Sequence, residues 1–82
     1  MKILVLRFSS IGDIVLTSPV LRCLAQQRSD VEIHFATKAA FADLVMHSPY
    51  IHKVHVLGDD LGELISRLKK EGFAEVIDLH HN

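Results

Sequence analysis

Short apolar segments rich in β-branched residues alternate along the chain with longer segments of helical spacing. Four of these apolar segments are predicted to be strands because turn residues bound them: residues 2–7, 31–36, 54–57 and 74–79. A βαβαβαβ alternation favours parallel pairing through right-handed crossovers. The pattern therefore predicts an α/β fold with a parallel sheet and helices on its faces.

The clearest helix is predicted after the third strand. Its apolar residues recur at i, i+3, i+4 and i+7: Leu61, Leu64, Ile65 and Leu68. Asp60 is the predicted N-cap, and Gly72 followed by Phe73 predicts a left-handed C-terminal end. A shorter helix is predicted over residues 38–46, since Pro49 disfavours helix in the residue before it.

A helix is also predicted within residues 14–28, and its start has two interpretations. Either it begins near Asp13 and is kinked at Pro19, or Ser18 is the N-cap and Pro19 the first helical residue. The polar stripe of this segment is narrow, so we expect the helix to pack closely against the sheet. Cys23 lies on its apolar side and is predicted to be a buried, inert thiol.

The last predicted strand is apolar on both faces, at Val76, Ile77 and Leu79. This pattern is typical of an interior strand of a parallel sheet, yet only three residues follow it. An unpaired strand of this kind exposes an edge that invites pairing. We therefore expect the 82 residues to form one partial domain of a larger protein.

Composition narrows the classes of function. With 49% hydrophobic and 23% charged residues, the chain is predicted to form one small core. A net charge of -1 provides no basic field for nucleic acid. A single cysteine excludes an internal disulfide and favours a reducing, cytoplasmic compartment. The first apolar run, residues 3–6, is too short for a signal peptide or membrane span, which leaves peripheral membrane contact open.

Ligands of open parallel sheets bind at the carboxyl ends of the strands, so the segment after the first strand is the leading candidate site. It carries two hydroxyls, a glycine and a carboxylate: Ser9, Ser10, Gly12 and Asp13. The segment lacks both the GxGxxG fingerprint and the GxxxxGK[ST] P-loop. Asp13 has two interpretations, a cap at a helix start or a catalytic base, and both can hold together.

The six histidines do not predict a metal site. His52 and His55 are three residues apart in an extended segment, where their side chains face opposite sides, so both are predicted to be surface residues. His80 and His81 also diverge, and one of them is expected in the ligand cleft. For Asp78, within the last strand, hydrogen bonding to a neighbouring loop is favoured over catalysis.

The first nineteen residues, MKILVLRFSSIGDIVLTSP, strongly resemble the start of the bacterial ADP-heptose:lipopolysaccharide heptosyltransferases, glycosyltransferase family nine. Residues 48–51 (SPYI) and 76–82 (VIDLHHN) resemble later parts of that family. These segments are spread across the whole chain. The resemblance implies a GT-B enzyme with two Rossmann-like halves, of which this chain is part of the N-terminal, acceptor-binding half without the donor-binding domain.

The resemblance also implies a reaction and a set of site residues. Heptose is transferred from ADP-heptose to the lipopolysaccharide inner core with inversion and without a metal or other cofactor, with peripheral contact at the inner membrane. Asp13 matches the aspartate regarded as the general base of the family. The substrate-binding residues expected beside it are Ser9, Ser10, Gly12, His80 and Asn82. Arg7, Arg22 and Lys38 are further candidates for contacting an anionic acceptor.

Because the donor site is absent from these residues, we expect no turnover from them alone. An alternative is a stand-alone, non-catalytic α/β binding module in which Asp13 is a cap. A receiver-like signalling domain is a further alternative, suggested by Asp59, Asp60 and Asp78. It is disfavoured because the acidic pair follows the third strand instead of the first.

Overall fold

The computed structural model describes residues 1–8, 11–28, 30–58 and 60–79. All four predicted strands are present, each within two residues of its predicted bounds. In chain order the elements are β1 (Lys2–Leu6), α1 (Ile11–Val15), α2 (Thr17–Gln27), β2 (Glu32–Lys38), a 3-10 turn (Ala39–Phe41), α3 (Ala42–Val45), β3 (Lys53–Leu57), α4 (Leu61–Glu71) and β4 (Glu75–Asp78). Among these described residues no helix has the length and apolar character needed to cross a membrane.

The four strands form one parallel sheet in the order β3-β2-β1-β4. The predicted α/β fold with a parallel sheet is therefore confirmed. This order is that of a Rossmann half, whereas receiver domains place their third strand beside the first. The structure thus contradicts the receiver-like alternative.

The sheet is covered unequally on its two faces. On one face Ile3, Val5 and Phe35 are fully buried and pack in one core with residues of α1, α2 and α3. Leu4, which points to the opposite face, lines a groove beneath α4. The central strands β1 and β2 carry most of the core because they have neighbours on both sides.

The first helical segment is closer to the interpretation in which the helix begins near Asp13, but the break falls at Leu16 and not at Pro19. Helix α1 begins at Ile11, before Asp13, and the chain is interrupted at Leu16 before α2 begins. The Thr17 hydroxyl donates to the Ile14 carbonyl oxygen at 2.6 Å, which holds the junction. The interruption makes Pro19 the third residue of α2, where an amide N–H has no partner within the helix.

Both predicted ends of α4 are confirmed. The Asp60 carboxylate accepts a hydrogen bond from the Glu63 amide at 3.2 Å, and Gly72 has a left-handed φ of 70°. The predicted helix over 38–46 is only partly correct. Lys38 belongs to β2, and the segment after it forms the 3-10 turn followed by the four residues of α3.

Among the described strands β4 lies at the edge of the sheet, with one side unpaired as expected for an interior-type strand without its neighbour. Val76 is 57% exposed, because no described strand lies beyond it. An open apolar groove adjoins β4 on each face, of about 300 Å³ beside Leu68 and Phe73 and about 380 Å³ beside Val20 and Cys23.

These grooves explain two further differences between the structure and the sequence-based predictions. Cys23 is exposed, not buried, since the side of α2 that faces beyond β4 has nothing described against it. For the same reason α2 is packed against the sheet along a single stripe, at Thr17 and Leu21. On α4 the predicted apolar face is buried only at Leu64, while Ile65 is 43% exposed.

The two histidines near β3 have different environments. His52 is exposed as predicted, whereas His55 is only 5% exposed and the prediction of a surface residue is wrong. His52 Nδ1 accepts a hydrogen bond from the Ile33 amide of β2 at 3.3 Å. The face that His55 occupies is covered, because Phe73 packs edge-on to its ring at the end of α4.

Candidate functional site

The strand order places a topological switch point at the carboxyl ends of β1 and β4. From β1 the chain adds β2 and then β3 on one side, and then returns to place β4 on the other side of β1. In open parallel sheets this change of direction leaves a gap between the connecting segments, and ligands bind there. We refer to this gap as the switch-point crevice. The described residues that border it are 7, 8 and 11–13 after β1 and residue 79 after β4.

Arg7 holds the two sides of the switch-point crevice together. Its guanidinium Nη1 donates to the Leu79 carbonyl oxygen, and its amide donates to the Ala36 carbonyl oxygen at 3.1 Å. The Leu79 amide donates to the Leu6 carbonyl oxygen at 3.0 Å. Arg7 therefore links the carboxyl ends of β2, β1 and β4. Its guanidinium is hydrogen-bonded to the protein backbone and holds these strand ends together.

Gly12 and Asp13 lie in the first turn of α1, on the β1 side of the crevice. Gly12 is exposed, and a Cβ at this position would meet nothing within 4 Å. Its carbonyl oxygen accepts from the Leu16 amide at 3.0 Å. The Asp13 backbone lies in the first turn of α1, where helix amides are still free of intrahelical partners and the helix dipole favours a negative charge.

The other predicted substrate-binding residues lie outside the described residues. Ser9 and Ser10 come between β1 and α1 in the sequence, and His80 and Asn82 follow β4, as His81 also does. Their contacts with substrate stay predictions.

The remaining cationic candidates are not brought together. Lys38 is exposed at the carboxyl end of β2, two strands from β4. Arg22 is midway along α2, where it lines a surface groove of about 410 Å³ with Gln26 and Tyr50. Arg22 therefore lies away from the strand ends that form the crevice.

Thr37 is a further polar residue of this edge, at one of the predicted strand ends, for which the sequence predicts no specific role. It lies one residue before the end of β2 and is fully buried. Its hydroxyl has no hydrogen-bond partner among the described residues. A threonine within an otherwise apolar strand was the available signal, but β-branched residues are so common in strands that the signal is weak.

The acidic residues of the receiver-like alternative do not form a site in the described part of the chain. Asp60 is committed to capping α4. Asp78 is exposed and lies in β4 beside Leu6. Asp59 lies outside the described residues. The Gly12–Asp13 turn therefore remains the leading candidate for chemistry at the carboxyl edge.

Sequence comparison relates the chain to a curated transferase. Over 85 aligned residues it is 29% identical to lipopolysaccharide heptosyltransferase 1 of Campylobacter coli, which covers 96% of this chain and 25% of that protein. The predicted resemblance is confirmed. No family model matches the chain.

Structural comparison gives the same fold. The crystal structure of a glycosyl transferase family 9 protein from Veillonella parvula superposes on 99% of this chain with a TM-score of 0.90 and 23% identity. The aligned region is 26% of that protein. This chain thus spans about a quarter of the length of both relatives.

Proposed function

We propose that this chain is the acceptor-side portion of an inverting glycosyltransferase that moves heptose from ADP-heptose to the lipopolysaccharide inner core. The observation that carries the proposal is the position of the Gly12–Asp13 turn at the carboxyl end of β1, on the switch-point crevice. The similarity to a heptosyltransferase over 96% of the chain supports the choice of sugar and acceptor.

In the proposed reaction an acceptor hydroxyl attacks the anomeric carbon of the donor sugar as the bond to the diphosphate breaks. Asp13 takes the hydroxyl proton, and the electron pair of the broken bond leaves with ADP. The transition state resembles an oxocarbenium ion, so a carboxylate beside the attacking oxygen and amide or hydroxyl donors near the departing phosphate both lower the barrier. No metal or other cofactor is part of this proposal.

The proposed substrate contacts lie on both walls of the switch-point crevice. Ser9, Ser10 and Gly12 supply hydroxyl and amide groups to the acceptor or to the leaving diphosphate, from the β1 side. His80 and Asn82 contact substrate from the β4 side. We further propose that the enzyme works in the cytoplasm, with peripheral contact at the inner membrane where its acceptor is anchored.

The donor-binding half is proposed to lie outside these 82 residues. The length of both relatives and the open apolar grooves on either face of β4 support this proposal. Closure of two halves supplies the orientation that a lone base lacks. We therefore expect heptose transfer from the full-length enzyme and none from the 82-residue chain.

The deciding experiment compares heptose transfer by the full-length enzyme with transfer by Asp13→Asn, which keeps the shape of the side chain and removes the base. The expected loss of turnover is about a hundredfold or more. Asp43→Asn is the matched control, because Asp43 is also in the first turn of a short helix, α3, and is exposed. It should keep native turnover.

Other outcomes would reject particular parts of the proposal. If Asp13→Asn and the native enzyme turn over equally, Asp13 is a cap and the base lies elsewhere. If the native enzyme transfers no heptose, the donor and acceptor assignment is wrong. If the 82-residue chain alone transfers heptose, the separate donor half is not required. A folded native protein that binds the acceptor and transfers no nucleotide sugar would favour the non-catalytic binding module.

A further inference from the structure

A buried polar cluster lies at the amino end of the sheet, on the face covered by α4. It contains His34 of β2, His55 of β3 and Glu71 of α4, and each of these residues has a nitrogen or oxygen atom within 4.8 Å of the others. The His34 Nδ1 and His55 Nε2 atoms are 2.8 Å apart. Both histidines are buried, at 2% and 5% exposure. We call this group the amino-end cluster.

The hydrogen bonds of His34 fix its orientation and leave one nitrogen facing the cluster. The Glu32 carboxylate lies 2.7 Å from His34 Nε2 and, when ionised, can only accept, so Nε2 donates. The Nδ1 lone pair of a neutral His34 then points at His55. This is the arrangement of metal-binding histidines, whose second ring nitrogen usually donates to a carboxylate or carbonyl.

His55 offers the second nitrogen. Its burial, with His34 adjacent, lowers the pKa of the ring and favours the neutral form, which can bind a metal. The planes of the two imidazole rings are inclined by only 18°. The ring centroids are 5.1 Å apart, whereas His34 Nδ1 and His55 Nε2 are only 2.8 Å apart. The two nitrogens therefore lie on the facing edges of the rings.

Glu71 adds an anionic oxygen. Its Oε2 atom lies 4.0 Å from His55 Nε2. Hydrogen bonds from Lys2 and Lys53, at 3.0 and 3.2 Å, lower the pKa of the Glu71 carboxyl to about 2. The carboxylate is ionised near neutral pH, and its partner Lys53 is 60% exposed and able to swing into solvent.

We infer that the amino-end cluster binds a divalent cation of the zinc type through His34 Nδ1, His55 Nε2 and Glu71 Oε2, with Glu32 orienting His34. Two imidazoles and one carboxylate are a standard donor set for zinc, with water able to fill the fourth position. The two nitrogen donors disfavour Ca²⁺ and Mg²⁺, which prefer oxygen.

Binding requires small local movements and no net loss of a proton. The cation takes the place of the hydrogen bond between the rings, and His55 moves its proton from Nε2 to Nδ1. Zinc ligands lie about 2.0–2.2 Å from the metal, so the two nitrogens separate slightly and the Glu71 carboxylate moves in. Lys53 is displaced from Glu71, so this ammonium competes with the cation for the same carboxylate.

The inferred role is structural. Glu71 is the last residue of α4, while the two histidines belong to adjacent strands, so a bound cation would tie the end of the helix to the sheet. The site lies at the opposite end of the strands from the switch-point crevice. It is therefore independent of the proposed transfer reaction, which stays metal-free.

The test is a titration of the purified chain with Zn²⁺, followed by calorimetry, and with Co²⁺, followed by visible absorption. We expect one equivalent to bind, with the absorption of a tetrahedral Co²⁺ site. Glu71→Gln should weaken binding at least tenfold, and Glu32→Gln about tenfold to a hundredfold through loss of orientation. Lys53→Met should bind more tightly, because it removes the competing ammonium.

The control is His47→Ala, which removes an exposed histidine that is not part of the amino-end cluster and should bind like the native chain. Unfolding midpoints with and without Zn²⁺ provide a second readout, since a ligand bound only to the folded state raises the midpoint. The inference is overturned if the native chain binds no Zn²⁺ or Co²⁺, if His47→Ala abolishes binding, or if folded Glu71→Gln binds like the native chain.

Discussion

The two ends of the sheet carry polar groups of different origin. At the carboxyl end, Gly12 and Asp13 lie in consecutive positions of one connecting segment. At the amino end, His34, His55 and Glu71 come from three separate elements and meet through the parallel register of β2 and β3 and the length of α4. A motif of consecutive residues can be recognised from the sequence. Residues that are brought together by strand pairing can be recognised only from the structure.

The largest expected effect on stability is at the amino end. His34→Ala removes the hydrogen bonds to His55 and Glu32 and leaves a buried ring nitrogen of His55 without its partner. Such a loss costs about 1–3 kcal/mol of unfolding free energy. Urea unfolding followed by far-UV circular dichroism measures it, with the exposed His47→Ala as the control. Equal free energies for native chain and His34→Ala would show that the cluster contributes nothing to stability.

Much of the fold was predictable because its signals are local. The central strands are short and strongly apolar. Asp60 and Gly72 are residue types that commonly begin and end helices, and they do so at the two ends of α4. The interruption at Leu16 was not predictable. It depends on the Thr17 hydroxyl and on where Pro19 falls in the following turn, whereas the sequence points only to Pro19 as the position of a kink or a helix start.

Burial was less predictable than secondary structure. An alternating strand pattern shows that two faces exist but not which neighbour covers each one. His55 was therefore assigned to the surface although Phe73 and α4 cover it. Cys23 is predicted to be buried, yet it borders the open side of β4.

The candidate site was predictable to the level of its segments. Asp13 and Gly12 are candidates because they follow the most buried strand, and the first turn of α1 lies at the carboxyl end of that strand. The role of Arg7 was not predictable, because its partner, the Leu79 carbonyl, is 72 residues away in sequence. The chemical role of Asp13 stays a prediction.

An intermediate effect is expected at the glycine that ends α4. Gly72 has a φ of 70°, and the chain then turns to place Phe73 edge-on against His34 with ring centroids 5.1 Å apart. Gly72→Ala should cost about 1–2 kcal/mol, because a Cβ disfavours the left-handed conformation. Gly58→Ala, at the carboxyl end, is the matched control, since its φ is not left-handed and a Cβ would have open space.

The same pair of glycine variants tests whether the two ends of α4 are anchored differently. Chemical denaturation of each variant gives the comparison directly. If both alanines cost the same, the left-handed end of α4 is not a special constraint and the orientation of Phe73 over the histidines has another cause.

The smallest effect is expected for an exposed ion pair at the amino end. Arg28 Nη1 and Glu75 Oε1 are 2.8 Å apart, with side chains 34% and 48% exposed. Arg28→Gln should cost less than about 1 kcal/mol, because water and salt screen the pair and ordering two long side chains opposes it. Unfolding in low and high salt measures this cost, which should shrink further as salt is added. If Arg28→Gln instead lowers the unfolding free energy as much as His34→Ala does, and independently of salt, the contrast between the two ends is wrong. Surface charges would then stabilise the amino end as much as its buried cluster does.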